Sequence, residues 1–172
     1  MAGIKERVER KLQALIGLPL VNATRISNME CFDFGNDRTG FSRKGSVINV
    51  HDFTLHVQCA WRLIGPEGVI VGSNDMYYPA GNPSNRPSNF NWDAPGANRC
   101  DERVDQFFHG NKTLLLVNGI EVDSTGGVII RMQGGFCLEI FPDNSVDEEH
   151  WRFFEPATEK RHFVIKGKSV QE

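Results

Sequence analysis

His56, Gln58 and Arg62 occupy one parity of a strand pattern and are the residues best equipped to read a polar ligand. Downstream, Tyr77 and Tyr78 are the only tyrosines of the chain, and Trp92 follows within the next unusual segment. Such amphipathic rings suit a half-wet binding surface. Four acids, Asp143, Asp147, Glu148 and Glu149, form a third group with no base among them. They read as carboxylates gathered at the first turn of a helix, or as an acidic patch for a basic partner. Consecutive exposed acids are poor candidates for paired-carboxylate hydrolysis, which needs one acid in an apolar pocket.

Other chemistries fail on spacing. Cys59 lies in the apolar phase of its strand and His56 points away from it, so a Cys-His nucleophile pair is not expected. Cys31, Cys59, Cys100 and Cys137 show no CxxC or CxxH spacing, and no HExxH occurs, so no metal site and no cofactor are expected. Reduced thiols in a cytoplasmic setting are the simplest reading of four dispersed cysteines. The glycine pairs Gly126-Gly127 and Gly134-Gly135 sit in hairpin turns and match no phosphate-binding loop.

The elements that must position these residues follow from periodicity. Ile4, Val8, Leu12, Leu15 and Ile16 define an amphipathic helix that ends at Gly17 and Pro19. Met29 to Gly35 reads as a strand with Met29, Cys31 and Asp33 on one side. Phe53, Leu55, Val57, Cys59, Trp61 and Leu63 form an apolar phase, preceded by a bulge or turn near His51-Asp52. Gly65 to Gly68 closes a hairpin into Val69-Ile70-Val71. A three-residue loop, Gln133-Gly134-Gly135, would pair 132 with 136, 130 with 138 and 128 with 140. That register puts six apolar residues on one face and leaves Arg131 diagonal to Glu139. Asn98 to His109 reads as a helix, and Leu114–Val122 and Arg161–Lys166 as strands. Ala80 to Asn98, rich in Asn and Pro, is a long loop of the kind that is usually functional. The tail 168–172 is expected to fray. The class is α+β: a mostly antiparallel, curved sheet of about seven strands with an N-terminal helix and one or two further short helices.

Composition limits the functions. The chain has 172 residues and a formal net charge of -3, so one domain is the default and a broad nucleic-acid face is not expected. No apolar run approaches the ~18 residues of a membrane span. Phe outnumbers Tyr 12 to 2, a balance that favours core filling. The charged, periodic N-terminus does not read as a signal peptide, which leaves the two Asn-x-Thr sequons without a role.

Several short motifs, taken together, resemble a family of small, functionally uncharacterised bacterial proteins. They are Phe32-Asp33-Phe34-Gly35, His56-Val57-Gln58-Cys59-Ala60-Trp61-Arg62, Asp75-Met76-Tyr77-Tyr78-Pro79, Phe141-Pro142-Asp143 and His150-Trp151-Arg152-Phe153-Phe154, followed by His162-Phe163-Val164. The resemblance carries no catalytic residues to transfer. In size and texture such proteins are similar to the immunity proteins that neutralise bacterial toxins, by analogy only.

Two readings therefore stand. The first is a non-catalytic cytoplasmic binding protein, of immunity type, that meets a toxin-like partner through Asp147, Glu148 and Glu149 or through its Tyr/Trp surface. The second is a small-ligand binder or enzyme with a pocket on the sheet face under the 80–98 loop, lined by His56, Gln58, Arg62, Tyr77 and Trp92. If His56, Gln58 and Arg62 sit in a deep cleft capped by that loop, the second gains; if their face is flat or filled by Phe90 and Trp92, the first gains.

Overall fold

The computed structural model describes residues 3–172. It begins with helix α1 (Ile4–Leu12), extended by a short 3-10 turn over Gln13–Leu15. Val8, Leu12 and Leu15 follow the expected spacing and are fully buried, and Gly17 ends the turn with φ 83°. Strands follow: β1 (Leu20–Ile26), β2 (Met29–Phe34), β3 (Arg38–Phe41), β4 (Val47–Val50), β5 (Phe53–Val57), β6 (Ala60–Gly65) and β7 (Gly68–Gly72). A 3-10 turn over Ser73–Tyr77 leads to the long loop and then to helix α2 (Arg99–Gly110). The remaining strands are β8 (Val117–Val122), β9 (Val128–Met132), β10 (Phe136–Phe141), β11 (Glu149–Phe154), β12 (Phe163–Lys166) and β13 (Ser169–Gln171).

The class is α+β, as the periodicity predicts, with antiparallel pairings throughout. The thirteen strands form a six-stranded sheet, β1-β2-β5-β11-β12-β13, a five-stranded sheet, β7-β6-β10-β9-β8, and the separate β3–β4 hairpin. The count exceeds the seven read from periodicity because short strands such as β3, β4 and β13 carry too few residues to show a period. The tail, read as fraying, carries strand β13. Ser169–Gln171 pairs with β12, and Arg7 of α1 binds both the Val170 carbonyl and Glu172.

The apolar phase from Phe53 to Leu63 is confirmed, but it spans two sheets. Leu55, Val57, Cys59, Trp61 and Leu63 are all buried, while β5 belongs to the larger sheet and β6 to the smaller. The chain changes sheets at Gln58-Cys59, where both backbone N–H groups donate to the His150 carbonyl, at 2.8 and 3.1 Å. Inward side chains of both sheets, α1 and α2 join in one core. Phe32 and Trp61 meet edge to face across it, with centroids 5.0 Å apart. Trp151, fully buried, donates its indole N–H to the Gly126 carbonyl at 2.8 Å. Gly126 has φ 88°, and a Cβ there would meet Ile165 at 2.9 Å, so glycine is required at this contact.

The β9–β10 hairpin has the register expected, with Met132 opposite Phe136, Ile130 opposite Leu138 and Val128 opposite Ile140. Gly134 and Gly135 both take positive φ in its loop. Arg131, however, pairs across to Glu121 of β8 at 2.6 Å rather than with Glu139, whose partner is Arg62. The acids ahead of Trp151 do not start a helix. Glu149 opens strand β11 instead, because alternating Trp151 and Phe153 fill the inner face.

Candidate functional site

The polar residues singled out by the sequence lie in three places. His56 is half-buried on the outer face of the six-stranded sheet, edge-on to Phe154 with centroids 4.7 Å apart. Burial and the nearby Arg152 cation hold its imidazole below its ordinary pKa. Gln58 donates to Glu149 at 3.2 Å, and Glu149 receives two charge-assisted hydrogen bonds from Arg152. Arg62 sits in the other sheet, paired with Glu139 and over the Phe141 ring at 5.5 Å. The expectation that His56, Gln58 and Arg62 share one face is thus corrected. Parity holds along a continuous strand, and this chain leaves one sheet for the other between Gln58 and Arg62.

Gln58, Arg62 and Tyr77 do meet at a cleft of about 480 Å³, together with Asp75 and Asp143. His56 takes no part in it. Tyr77 belongs to the 3-10 turn over Ser73–Tyr77, and it stands edge-on to Trp92 at 5.6 Å. Tyr78 is exposed beside it. Asp147 and Glu148 are exposed in the bend before β11, whereas Glu149 is engaged by Gln58 and Arg152.

A second and larger cleft, of about 860 Å³, opens between β1, α2 and the 80–98 loop. Its construction starts with Asn98. This fully buried side chain caps α2 by accepting from the Asp101 N–H at 2.8 Å, and it donates to the Trp92 carbonyl at 2.7 Å. One residue thereby starts the helix and ties down the loop. Gly81 N–H donates to Glu102 and Gly96 N–H donates to Asp101, so the loop forms a fixed rim. Trp92 packs against the core and faces the Arg25 guanidinium at 6.0 Å.

Arg25 and Glu30 lie directly opposite each other on β1 and β2, on the face that α2 covers. Arg25, with a side chain only 6% exposed, binds Asp101 through Nε at 2.7 Å and Nη2 at 2.9 Å. Its Nη1 donates to the Ser27 carbonyl at 2.7 Å and to Asp93 at 3.1 Å, and Nη2 also reaches the Asp93 carbonyl at 3.4 Å. Burial works against ionisation of Asp101, but hydrogen bonds from Arg25 and Gly96 outweigh it and hold the carboxyl below its usual range.

Glu30 is built differently. It is 1% exposed, and neither carboxyl oxygen has a hydrogen-bond partner. Burial, with the Asp101 charge adding to it and Arg25 opposing it, pushes its pKa up to about 8. The group is therefore mostly a neutral acid at pH 7. Unpartnered buried carboxyls are costly and concentrate at functional sites. Its signal was present in the sequence: Glu30 alternates with Phe32 and Phe34, an ionisable residue in the inward phase of a strand.

All four thiols are free and buried. Burial raises each of them, Cys31 and Cys59 to about 12, so they stay protonated and poorly nucleophilic. Among the described residues, no cluster of His, Cys, Asp and Glu is arranged to hold a metal ion, and no helix is long and apolar enough to cross a membrane. Comparison with family models, curated proteins and solved structures finds no match for this chain.

Proposed function

We propose that this chain is a non-catalytic binding protein whose ligand occupies the cleft between β1, α2 and the 80–98 loop. The observation that carries this reading is Glu30, a buried carboxyl without a hydrogen-bond partner in the wall of a roomy cleft. Folding spends stability to keep such a group dry, and a bound ligand that supplies the missing donor recovers it. The fixed rim supports binding without a large closure. The protonated, buried thiols favour binding over nucleophilic catalysis. The experiment is a thermal-shift assay with n-butylammonium, n-butyrate and ribitol as probes of three chemical classes. The expected result is a raised Tm with at least one probe, abolished by Pro95→Trp at the rim. No shift with any probe, or a shift that Pro95→Trp leaves intact, overturns the reading.

One observation favours a protein partner as a second reading. The β3–β4 hairpin exposes the cross-strand pair Phe41 and Val47 at 66% and 68%. Adjacent exposed apolar side chains mark interaction surfaces. An immunity-type role in a bacterial cytoplasm would use this hairpin, with the exposed acids Asp147 and Glu148 as a separate patch. Copurification of a toxin-like partner that survives Asp147→Asn/Glu148→Gln but is lost in Phe41→Ser/Val47→Ser would support the hairpin. Loss in the acid variant alone would move the interface to the acidic bend.

A further inference from the structure

We infer that the cleft bounded by β1, α2 and the 80–98 loop takes a cation, an ammonium carried on a short alkyl stem, and that Glu30 is its counter-ion. The inference rests on the proposed binding role of that cleft and names the class of its ligand.

Charge comes first. The charged groups that line the cleft with Glu30 are Arg25 from β1, Asp93 from the loop, and Asp101, Glu102, Asp105 and His109 from α2, of which Asp101 and Arg25 act directly on its carboxyl. An anionic ligand needs free N–H donors, and Arg25 has none to offer. A guanidinium carries five N–H groups, and the five contacts of Arg25 to Asp101, Asp93 and Ser27 use them. His109, largely exposed at the cleft's margin, turns its Nδ1 to Asp105 at 3.0 Å. Among the acids, Asp101 and Asp93 are engaged by Arg25, and Glu102 accepts from Gly81 N–H. Glu30 alone is buried and unpartnered. Once it gives up its proton, it offers two acceptor oxygens to a ligand that brings donors.

Shape agrees with charge. Ala23, Val104, Pro95 and Phe108 contribute apolar surface to the same cleft, enough to cover an alkyl stem while the ammonium points inward. The Glu30 oxygens are shielded from solvent in the empty cleft, so side chains of the wall must yield for the ammonium to reach them.

Proton balance gives the inference a distinctive signature. In the empty cleft Glu30 holds a proton at pH 7, because burial favours the neutral acid. An ammonium bound against it favours the carboxylate. The proton on the carboxyl oxygen then passes to solvent, and the ammonium keeps all of its own. Binding thus releases close to one proton per ligand at pH 7, and less as the pH rises above 8.

The experiment is isothermal titration calorimetry of the full chain with n-butylammonium, n-butanol and n-butyrate, in phosphate and in Tris at pH 7. The two buffers differ in ionisation enthalpy, so the difference in heat counts protons released. The expected result is that butylammonium binds best and releases a proton, and that Glu30→Gln weakens it by about tenfold and abolishes the release. Preferential binding of butyrate, equal binding of butanol, or butylammonium binding unchanged in Glu30→Gln overturns the cationic assignment. If such binding is still lost in Pro95→Trp, the cleft remains the binding site and only the ligand class is wrong. Binding of any probe that persists in Pro95→Trp, or of none of the three, removes the cleft itself. Circular dichroism of both variants keeps misfolding apart from lost binding.

Discussion

Two polar regions sit on the same six-stranded sheet and have opposite construction. On its outer face Glu149 is clasped by Arg152 and by Gln58, and His56 and His162 pack beside Phe154. On its inner edge Glu30 lies opposite Arg25, which ignores it in favour of Asp101 and Asp93. Both regions place a glutamate near an arginine. In the first the pair is closed and only partly buried, its arginine in reach of solvent, which is how a sheet surface keeps its charges soluble. In the second the arginine is saturated elsewhere and the glutamate is left dry, neutral and available. A charged pattern in a strand is thus weak evidence of function, and an unanswered group is stronger.

Removing Arg25 should break this contrast most severely. Arg25→Ala strips the counter-charge from Asp101 and adds a second unpaired acid beside Glu30. The expected loss is on the order of 3 kcal/mol in denaturant unfolding at pH 7, since breaking a buried pair strands its partner. A loss under about 1 kcal/mol would mean the cluster is solvated and the contrast is only apparent.

The pH dependence of stability should sharpen it. The folded pKa of Glu30 is raised from 4.5 to about 8. A raised folded value means the native state holds its proton where the unfolded chain has lost it. The stability contributed by the neutral acid is complete below pH 4.5 and is lost as pH climbs through about 8, at up to roughly 1.4 kcal/mol per pH unit. Chemical denaturation of wild type and Glu30→Gln between pH 5 and pH 9 should show that slope in the wild type and a flatter curve in the variant. Parallel curves would place the titration elsewhere.

Smaller effects belong to the closed pairs. Arg62→Ala should cost about 1 kcal/mol or less, because its side chain is half-exposed and its main loss is the Glu139 contact. Glu149→Gln should cost about as much by the same logic. Asp147→Asn and Glu148→Gln, in an exposed bend, should move the unfolding midpoint within the scatter of surface substitutions, about 0.5 kcal/mol. If Arg62→Ala proved as damaging as Arg25→Ala, the distinction between closed and open charge sites would fail.

Much of the fold was legible in the residues. The amphipathic spacing of Val8, Leu12 and Leu15, the alternation from Phe53 to Leu63 and the Gln133-Gly134-Gly135 register all express one local rule. Apolar side chains repeat with the period of the element that buries them. Glu30 went unread in that pattern, although it is an acid in phase with Phe32 and Phe34. What the pattern could not carry was the change of sheet at Gln58-Cys59, which separates His56 from Arg62. Parity records which way a side chain points from its own strand, but not which sheet that strand has joined. Nor could it show that Arg25 spends its donors on Ser27, Asp93 and Asp101, the last two 68 and 76 positions away, and leaves Glu30 without one. Hydrogen bonds saturate, and which acid goes unanswered depends on distances that only the folded chain brings about. Local period thus accounts for the longer elements and their buried faces, while three-dimensional contact alone settles which polar groups are satisfied, and so where a ligand has something to supply.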